Sequence, residues 1–466
     1  MLPRLHMARS AFDLVVLGSG SAGTGAALSA RRAGAKRVAV VERDKIGGDC
    51  PNYACVPTKA LLFSASRFRI ARESARFGVR ASVEFDWSTA MRRKNEIVAQ
   101  IAEHDERLYA DAGIDLVRGD AHFIDELRLE ADGRTLRAER VIIATGSEPI
   151  VPSVPGLRLA ARTSDEIVQM DEAPCRPLVL GGGVVGVEFA QLFRDIDSEV
   201  MLIDRGDHLV DSEDAEVTSG LRAYLARSGV DIRMATELVE VTGRDGDFEV
   251  RLSDGSHRRV DCCVLAATGR RPRVGALRLE RTGVRTRREG IVVDEFLRTT
   301  HERIWAAGDV AGHFQYTHVA AYEGSLAGHN AFAAQPVAVD LDGIPRITFT
   351  DPPLAGVGIG EAEARRRGLE PIVARASLEG MGRALIEGWS DGLFALVADR
   401  RSGRLLGASM WGPNSDAVIH EIAVLVRNRG TVRELQRTIH AYPSYNEIIS
   451  EVAAELGGKL ASRAAA

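Results

Sequence analysis

Residues 12–23 read Phe12-Asp-Leu-Val-Val-Leu17-Gly18-Ser-Gly20-Ser-Ala-Gly23, and they decide the fold. An apolar run ends at a Gly-x-Gly-x-x-Gly turn, small residues over 24–33 continue as a helix, and a second apolar run over 37–41 ends in Glu42. Glycines at 18, 20 and 23 let backbone N–H groups approach a pyrophosphate at a helix N-terminus, and an acid 24 residues after Gly18 is placed to bind a ribose hydroxyl. A bare glycine motif is weak. Here strand, glycines, helix, strand and acid follow in the order a dinucleotide-binding unit requires.

The pattern recurs. Leu178-Val-Leu180 leads into Gly181-Gly-Gly183-Val-Val-Gly186, a helix runs through Phe193, and a strand over 200–203 ends in Asp204, 23 residues after Gly181. After each unit an apolar strand ends in a matching turn, Ala144-Thr145-Gly146-Ser147 and Ala267-Thr268-Gly269-Arg270. Two nucleotide sites are implied, with one Rossmann-like domain inserted into the other or the two in tandem. Beyond residue 345 the signals become antiparallel: runs over 393–398 and 405–410 flank the turn Arg400-Arg-Ser-Gly403. Val418, Ile422, Leu425 and Val426 then share one helical face after an Asn414/Ser415 start signal, which reads as a third domain of α+β type.

Composition fits this division. At about 150 residues per domain, 466 residues allow roughly three domains. Sixty basic against 65 acidic residues leave a net charge of −5, so nothing global draws the chain to nucleic acid or to an anionic membrane. No run is long and apolar enough to span a bilayer, and residues 1–10 lack the apolar core of a signal peptide. The expectation is a disordered N-terminus over 1–10 and a cytoplasmic protein. Five cysteines are too few for a disulfide framework, which favours a reducing compartment, and the vicinal Cys262-Cys263 reads as strand packing.

The most specific segment is Gly47-Gly-Asp-Cys50-Pro-Asn-Tyr-Ala-Cys55-Val-Pro-Thr-Lys59. Zinc needs a second ligand pair at comparable spacing, and none is near. In a regular helix residues five apart rise about 7.5 Å and diverge, so a bond between these cysteines needs a distorted turn, which Pro51 and Pro57 suit.

With these residues the chain resembles the flavoprotein disulfide reductases, the family of dihydrolipoamide dehydrogenase, glutathione reductase and mercuric reductase. The likeness runs from about residue 12 to 455 and includes Ala306-Ala-Gly-Asp309 and Phe349-Thr-Asp-Pro-Pro353. It implies an α/β fold: two three-layer Rossmann-like dinucleotide-binding domains plus a C-terminal α+β dimerisation domain. The FAD-binding domain would occupy 11–150 and 276–344, the NAD(P)-binding domain 151–275 and the dimerisation domain 345–466. FAD would be held by Gly18, Gly20, Gly23, Glu42, Lys59, Thr145, Gly146, Ser147 and Asp309, and the nicotinamide nucleotide by Gly181, Gly183, Gly186, Asp204 and Gly269. Asp204 favours NADH over NADPH, because a carboxylate accepts from a ribose 2′-hydroxyl and repels a 2′-phosphate, although Arg205 beside it pulls the other way. The resemblance further implies that Lys59 pairs with Glu188 near the flavin, that Cys55 is the thiolate against the flavin, and that Cys50 exchanges with a small-molecule or protein-borne disulfide or dithiol.

One departure matters chemically. The family carries a His-Pro base near its C-terminus, with a glutamate five residues on, supplied by the other subunit of a homodimer. Here the segment reads His440-Ala-Tyr442-Pro443-Ser-Tyr-Asn-Glu447. Tyrosine titrates about 3.5 pH units above histidine, so as a base at neutral pH it needs about 4.8 kcal/mol of environmental bias. It donates a proton more readily than it accepts one. His440 either substitutes as base or packs in the turn. Tyrosine here also resembles mercuric reductases, but those depend on a C-terminal cysteine pair, whereas this sequence finishes Leu460-Ala-Ser-Arg-Ala-Ala-Ala466. Three functions follow: an FAD-dependent NAD(P)H disulfide/dithiol oxidoreductase, an NAD(P)H-dependent quinone or metal-ion (mercuric reductase-like) reductase, and a weakly catalytic redox sensor, against which Cys50, Cys55, Lys59, Glu188 and Glu447 argue.

Overall fold

The computed structural model describes residues 11–261 and 263–464, so the N-terminal segment 1–10 and Cys262 lie outside the described residues. Two compact units share the chain. The first comprises residues 11–60, Ser88–Ile150 and Gly269–Asp340, and the second comprises Leu61–Trp87, Val151–Thr268 and residues 341–464. The first unit is thus interrupted by the second Gly-rich fingerprint and its flanks. It resumes at Gly269 because Arg270–Pro272 pairs antiparallel with Ser147–Pro149.

In the first unit Ala11–Leu17 lies between Val38–Glu42 and Arg134–Ile143, parallel to both. Asp115–Arg118 and Ile304–Ala306 extend the parallel order, and a meander of Ala121–Phe123 and Arg128–Ala131 runs antiparallel beside Arg134–Ile143. Val38–Glu42 is buried throughout, as befits a parallel strand covered on both faces. Leu14, Val16, Val40 and Ile142 face the helices Ser21–Arg32 and Thr317–Asn330, while Val15, Leu17, Val41 and Ile143 pack with Phe123 and Leu129. The two helices meet almost backbone to backbone. A Cβ on Gly324 would lie 2.0 Å from the Ala22 carbonyl oxygen, and one on Gly328 would lie 2.2 Å from that of Ala26.

The second unit holds a parallel sheet in the order Asp231–Arg233, Met201–Ile203, Leu178–Leu180, Val264–Ala266, Ala161–Arg162. Leu178, Leu180, Met201 and Ile203 share a core with Val241, Phe248 and Val250 of a separate three-stranded antiparallel layer. Its C-terminal part is a five-stranded antiparallel sheet with its own core under Ser415–Arg427 and Glu447–Ala464. The expected hairpin is there as Leu393–Asp399 and Leu405–Trp411, with Phe394 opposite Met410. Val418, Ile422 and Val426 are buried on the expected helix face. Asn414 precedes that helix, but in a left-handed conformation (φ 57°) and without a side-chain cap.

Helix Val184–Asp195 secures the entry to this sheet. Glu188 Oε1 accepts from Phe349 N–H at 2.8 Å, Gln191 exchanges two hydrogen bonds with the Asp351 backbone, and Arg69 joins Asp351 to the buried Asp195. Burial pushes Asp195 up to about 6, opposed by the Arg69 guanidinium.

The helix crossing makes a direct prediction. Gly324→Ala should cost about 1–3 kcal/mol, because its methyl has no space beside Ala22. Gly458→Ala, on an exposed helical position with nothing within 4 Å of the added carbon, should stabilise by about 0.5–1 kcal/mol. Urea unfolding followed by circular dichroism reads both, and equal effects would contradict the packing described.

Candidate active site

Each glycine loop is built on the same steric rule. An added Cβ at Gly18 would lie 2.4 Å from the Ala144 carbonyl oxygen, and at Gly181 2.4 Å from that of Ala267. Their φ angles, +101° and +117°, are themselves suited to glycine. Gly23 and Gly186 press on the Gly18 and Gly181 carbonyls so closely that a Cβ would sit within 1.9 Å and 1.8 Å. The acids repeat too. Glu42 accepts from Ser19 N–H (2.9 Å) and Asp44 N–H (2.8 Å), and Asp204 accepts from Gly182 N–H and Gly206 N–H (2.6 Å each). In both units the carboxylate at the strand end therefore grips the amide that follows the first glycine and the amide two residues beyond itself.

These loops are suited to dinucleotides. Helices Ser21–Arg32 and Val184–Asp195 begin at Gly20 and Gly183 with no side-chain cap, leaving their first turns to an anionic ligand. Glu42 also accepts from Ser19 Oγ (2.7 Å), which fills three of its roughly four lone-pair positions, whereas Asp204 retains about two for a ribose. At the other end of the first unit Asp309 accepts from Ser147 Oγ at 2.5 Å; burial raises its carboxyl, against that hydrogen bond and the Arg270 guanidinium. Thr145 Oγ1 donates to the Arg273 carbonyl at 2.7 Å, and Gly146 takes φ +68°.

The cysteine segment is fixed to the first glycine loop. Gly20 and Gly47 form a parallel bridge, Gly47 N–H donates to Ser19 Oγ at 3.1 Å, and a Cβ on Gly48 would lie 2.8 Å from Gly20 Cα. Asn52, which the sequence reading did not single out, donates to the Ile46 and Gly48 carbonyls at 2.8 Å. Helix Asp49–Asn52 stops at Tyr53, and helix Cys55–Glu73 starts anew. That break is the distortion which five-residue spacing demands. Cys50 and Cys55 stand as two hydrogen-bonded thiols. The bond to Cys55, burial and the charge of an ionised Cys55 push the Cys50 thiol far up, while Thr317 and the Lys59 ammonium oppose them. Thr317 Oγ1 lies 3.2 Å from Cys55 Sγ, a partner sequence did not signal.

Gly18, Gly20, Gly23, Glu42, Cys50, Cys55, Lys59, Thr145–Ser147, Gly269 and Asp309 all belong to the first unit; Gly181, Gly183, Gly186, Asp204, Glu188, Tyr442 and Glu447 belong to the second. Lys59 is half-buried and Glu188 buried. Tyr442 is 79 % exposed, and Glu447 accepts from Ser444 N–H at 2.8 Å. Both ring nitrogens of His440 are engaged, Nδ1 with Ser450 Oγ (2.8 Å) and Nε2 with Glu421 (3.0 Å), so this ring ties two helices together. Cys263 is buried.

The family profile described as pyridine nucleotide-disulphide oxidoreductase matches residues 12–324, and the profile of that family's dimerisation domain matches 344–453. The chain belongs to this family. The pyridine nucleotide-disulphide oxidoreductases similar to it include a mercuric reductase of Streptomyces lividans, 37% identical with 95% of each chain covered, and a dihydrolipoyl dehydrogenase of Bacillus subtilis, 32% identical with 96% of this chain and 98% of the relative covered. Among solved structures, the HOCl-induced flavoprotein disulfide reductase RclA from Escherichia coli superposes with a TM-score of 0.85 at 28% identity, over 95% of this chain and 99% of that one. The protein is accordingly an FAD-dependent oxidoreductase acting on sulfur groups with a pyridine nucleotide, and its fold is the expected pair of nucleotide-binding folds with a dimerisation domain. Among the described residues no helix is long and apolar enough to cross a membrane.

The thiol pair yields a pH prediction. Two of the three influences that raise Cys50 come from Cys55, so Cys55→Ala should lower the Cys50 alkylation midpoint by about one pH unit or more toward the ordinary thiol range. Mass spectrometry of iodoacetamide-labelled peptides across pH measures it. An unchanged midpoint would show that Cys55 does not govern Cys50.

Proposed function

We propose that the protein is an NADH-dependent disulfide reductase in which Cys50 meets the substrate and Cys55 receives electrons from FAD. The carrying observation is that the cysteine pair is pinned to the Gly18–Gly23 loop through Ser19 and Gly47. FAD would be held by that loop, Glu42, Thr145–Ser147 and Asp309, with Lys59 beside the thiols, and supplies the relay between two-electron hydride transfer and thiol chemistry. Cys50 retains its proton while its partner ionises, so Cys55 is the thiolate of the reduced pair. When the substrate disulfide is attacked, Cys50 must lose that proton, which Thr317 and Lys59 favour.

Asp204, at its strand end with room for ribose hydroxyls, supports NADH over NADPH. A homodimer is the natural assembly: the dimerisation profile covers 344–453, and Tyr442 and Ile439, 79 % and 96 % exposed, present apolar surface in that region. In this reading Tyr442 with Glu447 serves the partner's site as a proton donor to the departing thiolate, since His440 is committed to Glu421 and Ser450. The small number of cysteines supports a reducing cytoplasm.

NADH oxidation with lipoamide, glutathione disulfide and benzoquinone as acceptors tests this reading. A disulfide should be the preferred acceptor and NADH should outperform NADPH, while Cys50→Ser should lower disulfide turnover by about a hundredfold or more and spare the quinone. Disulfide turnover that survives Cys50→Ser would overturn the assignment and favour the quinone reductase.

A further inference from the structure

The residue immediately before Cys50 is held in a way the reaction alone does not explain. The carbonyl of Asp49 accepts from both Tyr53 N–H and Ala54 N–H at 2.8 Å, at the break that turns Cys55 back toward Cys50. Its carboxylate is divided between two arginines, Oδ2 to Arg270 and Oδ1 to Arg273 Nη1 at 3.2 Å. The three side chains are only 20–25 % exposed. Arg270 also donates through Nε to Ser147 Oγ at 2.7 Å, and Ser147 donates onward to Asp309. Asp49 is therefore anchored to the strand pair Ser147–Pro149 and Arg270–Pro272, which belongs to the first unit.

We propose that Asp49 is a positioning residue whose clamp by Arg270 and Arg273 holds the Cys50–Cys55 turn closed and thereby sets the reduction potential of that pair. The proposal rests on Cys50–Cys55 being the redox disulfide. A turn held closed before the bond forms has already lost the freedom that opposes ring closure, so the clamp favours the oxidised state. Reduction breaks the Sγ–Sγ bond and places two electrons on the cysteines, with one proton on Cys50 while Cys55 stays a thiolate.

FAD-loaded wild type, Asp49→Asn, Arg273→Gln and the double variant are equilibrated in mixtures of reduced and oxidised dithiothreitol. Dithiothreitol supplies the two electrons and becomes its cyclic disulfide, one of its protons going to Cys50 and the other to solvent; acid quenching, alkylation and mass spectrometry then count reduced sulfurs at Cys50 and Cys55. Asp49→Asn should shift the equilibrium toward the thiols by about tenfold, or about 30 mV. Arg273→Gln should shift it in the same direction by less, because Arg270 still holds Asp49, and the double variant should go no further than Asp49→Asn. The shared direction is diagnostic: a through-space charge effect would give the two variants opposite signs, since losing a cation disfavours a thiolate. Opposite signs, or two wild-type equilibria, would overturn the clamp alone. A wild type that forms no Cys50–Cys55 disulfide would overturn both the clamp and the redox reading beneath it.

Discussion

A carboxylate at the end of a parallel strand, gripping the amide after a glycine that cannot be anything else, is the interaction on which this molecule depends twice. Glu42 fixes Ser19 and Asp204 fixes Gly182, and in each unit the following turns bring a helix start into the open. The two halves share even the secondary contacts, with Gly18 N–H bonded to Val41 and Gly181 N–H to Ile203. What distinguishes them is what each loop carries. The first uses Ser19, whose hydroxyl both donates to Glu42 and accepts from Gly47, to hold the cysteine segment; the second has Gly182 there and holds no such segment.

Much of this was legible in sequence because its causes are local. Gly18, Gly23, Gly181 and Gly186 are steric necessities, and steric necessity leaves glycine in fixed spacing. The alternation of the hairpin over 393–411 and the face formed by Val418, Ile422 and Val426 are periodicities of single elements. The start signal at Asn414 fell on the right position for another reason, since asparagine there serves by tolerating a left-handed backbone rather than by capping. Asp49 and Arg270 were in plain view within quoted motifs and Arg273 stands three residues beyond one, yet their pairing joins residues more than two hundred positions apart. No spacing rule reports a partner at that distance. Thr317, which reaches Cys55 from a helix start far along the chain, was hidden for the same reason.

The acid–base question divides in a similar way. Sequence left His440 and Tyr442 as rivals because they sit two residues apart in one motif. In the structure His440 hydrogen-bonds both Glu421 and Ser450, while Tyr442 is largely exposed. A tyrosine so placed suits donation to a leaving thiolate better than deprotonation of a dithiol, which gives the proposed reaction its direction.

The central claim is that Cys50 and Cys55 receive the electrons brought to the flavin. Anaerobic titration of the FAD-loaded oxidised protein with NADH, with thiols counted by mass at each step, tests it most directly. Two new thiols, at Cys50 and Cys55, should appear with the first equivalent while most of the flavin remains oxidised. Flavin that bleaches fully at the first equivalent, with the cysteines still joined, would contradict the account.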